Sequence, residues 1–396
     1  MDLSRRIPEV SVRLRANRRI ASRHPWVFAD DVSASNAAAH GDLVRVKDNA
    51  GMVLGVAMWS SRSKIALRMV SLEDVVPDAA FWATRVDLAL ARRGAEVGCW
   101  HARRLLFGEG DGVPGLVADL YGTHLVIQVL TAGTERIVDQ VVAALRERLP
   151  LESVLARNDS GVRKLEGLER QVTQLSGTTP DEIVIDEAGV RYAADPWRGQ
   201  KTGAFLDQRE NRLACRTYAR GRVLDAFSYH ASFALHAAQH AAEVVAVDSS
   251  SYALARGRAN ADLNGVTNMT FVEANAFEDL RERDRRGERF DLVMLDPPAF
   301  AKNRGDVPAA RRGYKEINLR AFRLLAPGGV LVTSSCSYNL DESSFEELVR
   351  EAAADAGRDV VVLERRGQAA DHPVRLGFPE GRYLKCFVLR DASGAA

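Results

Sequence analysis

Cysteine is scarce. The chain has 4 in 396 residues, Cys99, Cys215, Cys336 and Cys386, with no CxxC pair among them. That excludes a zinc ribbon and a dense disulfide framework, and a reducing cytoplasm is the expected location. Long apolar runs are missing too: none reaches the roughly 18 to 20 residues that span a bilayer. The opening stretch MDLSRRIPEVSVRLRANRR lacks the apolar centre of a signal peptide, so neither secretion nor membrane insertion is expected. Nor is there a surplus of charge. Lys and Arg number 54 against 53 Asp and Glu, a net +1, so any attraction to a polyanion depends on local distribution. Internal repeats and long Pro or Gly/Ser linkers are absent. What remains is 46% hydrophobic and 27% charged, the composition of a folded protein with two or three domains.

The charge that is present lies unevenly. Residues 1–70 hold 12 basic against 6 acidic residues, a local +6, and seven arginines fall in the first 23 positions. Up to about residue 72 the chain alternates in short β-type patterns, such as 10–14 and 43–47, which reads as a small β-rich domain. From about 76 to 187 it offers a helix over 78–93, strands over 115–120 and 124–130, and a helix over 134–148, an α+β block. After Gly189 apolar strands alternate with amphipathic helices, the signature of βα units around a mainly parallel sheet. Strands are expected at 222–227, 243–248, 269–273, 290–296 and 330–335. A helix over 341–356 and strands over 359–363 and 382–389 follow, the last two a candidate antiparallel pair. The expected fold class is α/β, with a Rossmann-like sheet in 189–396 preceded by a β-rich domain 1–74 and an α+β domain 75–188.

Open α/β sheets bind ligands at the carboxyl ends of their strands, and this sequence places polar residues there repeatedly. Asp225 ends the first strand, Asp248 the second and Asp296 the fourth, while Asn275 follows the third. Asp248, 23 residues after Asp225, stands where an acid can accept hydrogen bonds from ribose hydroxyls. Taken singly, each such Asp is a helix cap or turn residue; three in register suggest a nucleoside site. The segment after the first strand, Asp225-Ala226-Phe227-Ser228-Tyr229-His230-Ala231-Ser232, has no glycine, which argues against a dinucleotide pyrophosphate and a nucleotide-dependent oxidoreductase. In Asp296-Pro297-Pro298-Ala299 the two prolines fix φ and remove two donors, so a rigid turn can present the carboxylate to a planar base. Cys336, in Ser335-Cys336-Ser337 after the fifth strand, falls on the same rim. A free thiol is usually a buried apolar group and needs activation to be a nucleophile. Cys99, Cys215 and Cys386 lie in apolar surroundings and read as structural.

These residues and others resemble a known family. The stretch Lys201-Thr202-Gly203-Ala204-Phe205-Leu206-Asp207-Gln208-Arg209-Glu210-Asn211-Arg212, the Asp296-Pro297-Pro298 turn, Ser335-Cys336-Ser337, Ala370-Asp371-His372-Pro373-Val374, His24-Pro25-Trp26 and Val162-Arg163-Lys164 together resemble bacterial large-subunit rRNA cytosine-5 methyltransferases of the RlmI type. The resemblance covers essentially the whole chain. It implies a PUA domain, a central domain and a class I methyltransferase domain, with S-adenosylmethionine as cofactor, large-subunit rRNA as partner, no membrane and no metal, and it leaves monomer and homodimer open. It further implies that Asp248 with Ser249 holds the ribose, that Asn275, Ala276 and Phe277 meet the adenine, and that Asp225, Phe227 and Ser228 line the methionine end near Asp296. Lys201, Phe205, Gln208 and Arg209 would close the pocket beneath. Where family members commonly carry Thr-Gly-Gly this chain has His230-Ala231-Ser232, and Cβ atoms there are expected to crowd the methionine end. Asn275 replaces an Asp, and its amide can both accept from and donate to adenine.

The implied mechanism uses Cys336 as nucleophile on cytosine C6 and Asp296 on the base edge. Arg13, Arg15, Arg18, Arg19 and Arg23, with Arg5 and Arg6 before them, would grip phosphates, against the plainer alternative of a solvated basic face. Trp26 and Phe28 are core residues or stacking platforms. Two rivals keep part of this reading: an rRNA guanine-N7 methyltransferase, which needs no thiol, and a non-catalytic RNA-binding assembly factor.

Overall fold

Apolar, β-branched runs alternating with amphipathic helices build one seven-stranded sheet in the second half of the chain. Its strands are β1 (Arg222–Ala226), β2 (Glu243–Asp248), β3 (Met269–Glu273), β4 (Phe290–Leu295), β5 (Leu325–Ser335), β6 (Val360–Arg366) and β7 (Lys385–Asp391). The spatial order is β3-β2-β1-β4-β5-β7-β6. β1 to β5 run parallel, and β7 enters antiparallel to both neighbours, between β5 and β6. The order reverses between β1 and β4, which opens a crevice at their carboxyl ends.

Period-two alternation gives the sheet two apolar faces. The accompanying helices are α1 (Arg209–Tyr218), α2 (Ser232–Ala238), α3 (Ser251–Leu263), α4 (Ala276–Arg285), α5 (Val307–Leu324) and α6 (Glu342–Asp355). Leu224, Val245, Val293, Leu331 and Leu389 pack against Leu280 of α4, Ile317 and Phe322 of α5 and Phe345 of α6. Val223, Val244, Leu292, Val332 and Val388 pack against Cys215 of α1 and Phe233 and Ala237 of α2. Each such fully buried side chain stabilises the fold by about 2 kcal/mol in transfer terms. β5 starts at Leu325, five residues before its expected start at 330, because Ala326-Pro327-Gly328-Gly329 forms an irregularity in the pairing with β4 and the strand resumes beyond it.

The computed structural model describes residues 7–98, 100–301 and 303–393, and these divide into two units. One comprises 186–193, 207–369 and 382–396 and contains the sheet above; the other comprises 1–185, 194–206 and 370–381. Within this second unit a six-stranded sheet has the order Trp26–Phe28, Ile65–Ser71, Val53–Trp59, Leu43–Asp48, Glu9–Val12, Val32–Asn36. A five-stranded sheet, Ala102–Phe107 to Gln171–Ser176, carries the helices Ala79–Gly98 and Val138–Arg148. The strand expected over 10–14 stops at Val12, because Arg13 caps a helix, Leu14–Ala21, that buries Ala16 and Ile20. The helix expected over 134–148 divides into Ala132–Glu135 and Val138–Arg148, the first capped by the Thr131 hydroxyl.

A buried polar cluster anchors α1 and α2 to Glu187. Arg212 donates to both carboxylate oxygens of Glu187 at 2.6 Å, and Tyr192 Oη donates to Oε2 at 2.8 Å. His236 Nε2 lies 2.9 Å from Glu187 Oε1, while Arg216 Nε donates to His236 Nδ1. With Nδ1 accepting, the imidazole is neutral and Nε2 carries the proton. Burial pushes its pKa down, and the guanidinium of Arg212 holds the Glu187 carboxyl far below the usual range despite burial.

Candidate active site

Each expected strand-end residue emerges at the carboxyl edge of the sheet. Asp225, the fourth residue of β1, is 1% exposed, and its Oδ2 accepts from Ala234 N at the start of α2. Asp248 closes β2. Its Oδ2 accepts from Tyr229 N at 2.8 Å and its Oδ1 from Ser250 N at 2.9 Å, so it pins the loop after β1 while its remaining lone pairs stay available. Ser249 beside it is exposed, and Ser250 caps α3. Asn275 caps α4 through Oδ1 on Phe277 N. That bond uses one lone pair of the oxygen and leaves the other, with Nδ2, for a ligand.

The loop from Phe227 to Ala231 adopts left-handed backbone at Phe227, Tyr229 and Ala231, where glycine would be easier. The Ala231 methyl faces Gly257 of α3, whose missing Cβ makes room for it and for Phe271. Ala231 is fully buried there, and this packing accounts for the methyl that was expected to crowd the ligand. His230 stacks on Tyr229 at 3.7 Å between ring centroids. Phe227, Phe277 and Phe300 gather at 5.6 to 6.4 Å from one another, an apolar wall above the strand ends.

Does this edge fit S-adenosylmethionine? Asp225 Oδ1 and Ser228 Oγ are buried without a hydrogen-bond partner, an arrangement that costs about 1–3 kcal/mol per group unless a ligand satisfies them. Burial, reinforced by Asp296 and Asp248, pushes the Asp225 carboxyl well up. A donor carrying a sulfonium and an ammonium supplies the cations and hydrogen bonds that these acids lack. The residues fit.

Cys336 follows β5, half-buried, and its thiol contacts Pro297 O at 3.9 Å. The thiol and the Asp296-Pro297-Pro298 turn therefore meet on adjacent strands. Asp296 is tied from the residue that leads into α1: Gln208 Nε2 donates to its Oδ1 at 2.8 Å, and Asn211 donates to Gln208 Oε1. Ser337 is fully buried, its hydroxyl joined to Tyr314 Oη at 2.9 Å and accepting from Ala301 N. Lys385 Nζ donates to Ser337 O at 2.7 Å. Sequence reasoning missed Lys385 and the Gln208 to Asp296 link; only the pairing of β7 with β5 brings the lysine here. Arg209 is fully buried beside Glu210, with Nη2 to Oε1 at 2.8 Å. Lys201 and Phe205 belong to the other unit, the ammonium 4.6 Å above the ring. Cys215 and Cys386 are buried, and burial pushes the Cys386 thiol up to about 12. Cys99, Arg5 and Arg6 lie outside the described residues.

The N-terminal arginines lie on and beside the helix Leu14–Ala21. Arg13, Arg15, Arg18 and Arg23 are exposed; Arg19 is half-buried over the Phe28 ring at 4.6 Å and 3.9 Å from Asp31. Trp26 Nε1 donates to Glu109 at 2.6 Å, and its ring meets Phe378 at 4.7 Å, so that indole is a packing residue. Among the described residues no group of three or more His, Cys, Asp or Glu is arranged to hold a metal, and no helix is long and apolar enough to cross a membrane.

Comparison with known proteins identifies the family and the fold. A family model described as S-adenosylmethionine-dependent methyltransferase matches residues 103–374, and one described as PUA-like domain matches 10–72. Ribosomal RNA large subunit methyltransferase I of Aeromonas salmonicida is 42% identical over 381 residues, covering 93% of this chain and 95% of its own. The protein of that name from Photobacterium profundum is 42% identical over 377 residues, covering 92% and 95%. A solved SAM-dependent methyltransferase from Streptococcus mutans shares the fold, with TM-score 0.82 at 22% identity over 96% of this chain and 99% of that one. Another methyltransferase structure, complexed with SAH, aligns with TM-score 0.84 at 22% identity over the same 96% and 99%. The chain belongs to the S-adenosylmethionine-dependent methyltransferases, in the ribosomal RNA large subunit methyltransferase I family, with an N-terminal PUA-like domain and S-adenosylmethionine as its cofactor.

Proposed function

We propose that this protein methylates C5 of a cytosine in large-subunit rRNA, the substrate class in its relatives' names. The observation that carries this is the Cys336 thiol against the Asp296-Pro297-Pro298 turn at the carboxyl edge. Cytosine C5 is a poor nucleophile. Addition of the Cys336 thiolate to C6 makes C5 enamine-like, and Asp296, oriented by Gln208, hydrogen-bonds the N3/N4 edge where charge develops. S-adenosylmethionine, when bound, supplies an electrophilic methyl group to that carbon. Solvent water takes the C5 proton, the pair of that C–H bond restores the C5–C6 double bond, and the C6–S bond breaks to release Cys336 as thiolate. Asp248 and Ser249 are assigned to the ribose, Asn275, Ala276 and Phe277 to the adenine, and Asp225, Phe227 and Ser228 to the methionine end, where the buried orphan oxygens support the assignment. Lys201, Phe205 and Arg209 complete the set by resemblance.

The target base must leave its stack, at a cost of a few kcal/mol. Arg13, Arg15, Arg18, Arg19 and Arg23 are assigned to the phosphates that offset it. We divide the chain into domains 1–74, 75–188 and 189–396 and place its work in the cytoplasm. Nucleoside mass spectrometry of rRNA from cells with and without the gene tests the reading: 5-methylcytidine should disappear, whereas loss of 7-methylguanosine would replace it. Cys336→Ala should abolish methylation while the protein stays folded; normal turnover in that variant would end the nucleophile assignment.

A further inference from the structure

Lys385 is 3% exposed, and an ammonium seldom leaves water without a task. It opens β7, in register with Ser335 at the end of β5. From there Nζ donates to Ser337 O at 2.7 Å and to Tyr383 O at 2.9 Å. The backbone of Lys385 thus pairs with the residue before Cys336, and its cation is bound to the carbonyl of the residue after it. Glu342, the acid at the start of α6, is engaged by Arg382 at 2.6 Å, and Asp341 is engaged as the helix cap.

We propose that Lys385 is a positioning residue: it clamps the 335–337 turn and favours the thiolate form of Cys336. This rests on the reading of Cys336 as nucleophile. Burial pushes the Lys385 ammonium down to about 8, and Cys336 is the first of the groups opposing that fall, ahead of Asp341 and Glu342, with Arg382 acting the other way. At neutral pH the lysine therefore remains charged. Tyr314, which reaches the same turn through Ser337, has its pKa raised by burial and stays neutral, so it adds no competing charge. The thiol proton leaves to solvent, the electron pair stays on the sulfur, the ammonium at Ser337 O favours that charge, and no bond of Lys385 forms or breaks.

The test is the rate of iodoacetamide alkylation at Cys336 against pH, in the full chain, with peptide mass spectrometry separating Cys336 from Cys99, Cys215 and Cys386. Lys385→Met should move the midpoint up by about one pH unit, slowing alkylation at pH 7 about tenfold. Lys385→Arg should keep most of the wild-type profile. An unchanged midpoint in Lys385→Met overturns the proposal. Lys385→Gln, which removes the charge and keeps an amide donor on a side chain one bond shorter, gives the same reading should the methionine variant fail to fold. The measurement needs no turnover, so it is independent of whether Cys336→Ala abolishes methylation.

Discussion

A carboxylate that must hydrogen-bond a base edge has to be held still, and Gln208 does this for Asp296 through a hydrogen bond that spans 88 positions. Gln208→Ala should lower kcat about 10- to 100-fold, the range expected when a hydrogen bond to a charged group is removed. KM for S-adenosylmethionine should change less. A raised KM with kcat unchanged, measured by steady-state methylation, would mean that Gln208 serves the cofactor alone. The positions of Asp225, Asp248, Asp296 and Cys336 at the carboxyl edge were legible because each belongs to or follows an apolar, strand-forming run. The sequence could not disclose the tie from Gln208 to Asp296, nor Lys385. Their partners lie 88 and 48 positions away and meet them only through the register of separate strands and turns.

At the level of elements, α1 and α2 depend on the cluster around Glu187, where the Glu187–Arg212 pair and a neutral imidazole share one dry site with half-buried Arg216 at its rim. Breaking a buried pair leaves an uncompensated charge, so Arg212→Met should destabilise the protein by about 3–5 kcal/mol in denaturant unfolding. The imidazole sets a pH dependence. Because the folded pKa of His236 is depressed, the unfolded chain binds more protons below its ordinary pKa of about 6.5. Its stabilising contribution is therefore complete above that pH and declines as the solution is acidified below it. His236→Gln should flatten the fall in unfolding free energy between pH 6.5 and 5, and an unaltered slope would assign the acid sensitivity elsewhere. Elements with strong periodicity were legible: β1 to β4 and α6 fall within about two residues of their expected limits. β5 was not, because Pro327-Gly328-Gly329 reads as a breaker although the strand continues through the irregularity.

Across the whole molecule, near-neutral net charge conceals a basic N-terminal segment, so RNA affinity should depend on salt through a few arginines. Replacing Arg13, Arg15, Arg18 and Arg23 by Gln should reduce the slope of log affinity against log salt by about 0.7 for each phosphate no longer neutralised on single-stranded RNA. A slope that does not change would move the phosphate grip to another surface. Composition and alternation were enough to foresee a β-rich start followed by a wound α/β half. They did not foresee that the chain leaves each unit and returns, with 370–381 grouping with the early residues, since no periodic pattern records such an excursion. The placement of β7 carries a last consequence. It is made after β6 yet lies between β6 and β5, so β6 has no neighbour to dock on until its successor exists. A nascent chain halted after Arg366 would expose an open β5 edge, a template for aggregation, and would hold Cys336 without its lysine. Completion of the sheet and delivery of Lys385 to the turn that carries Cys336 are therefore one event.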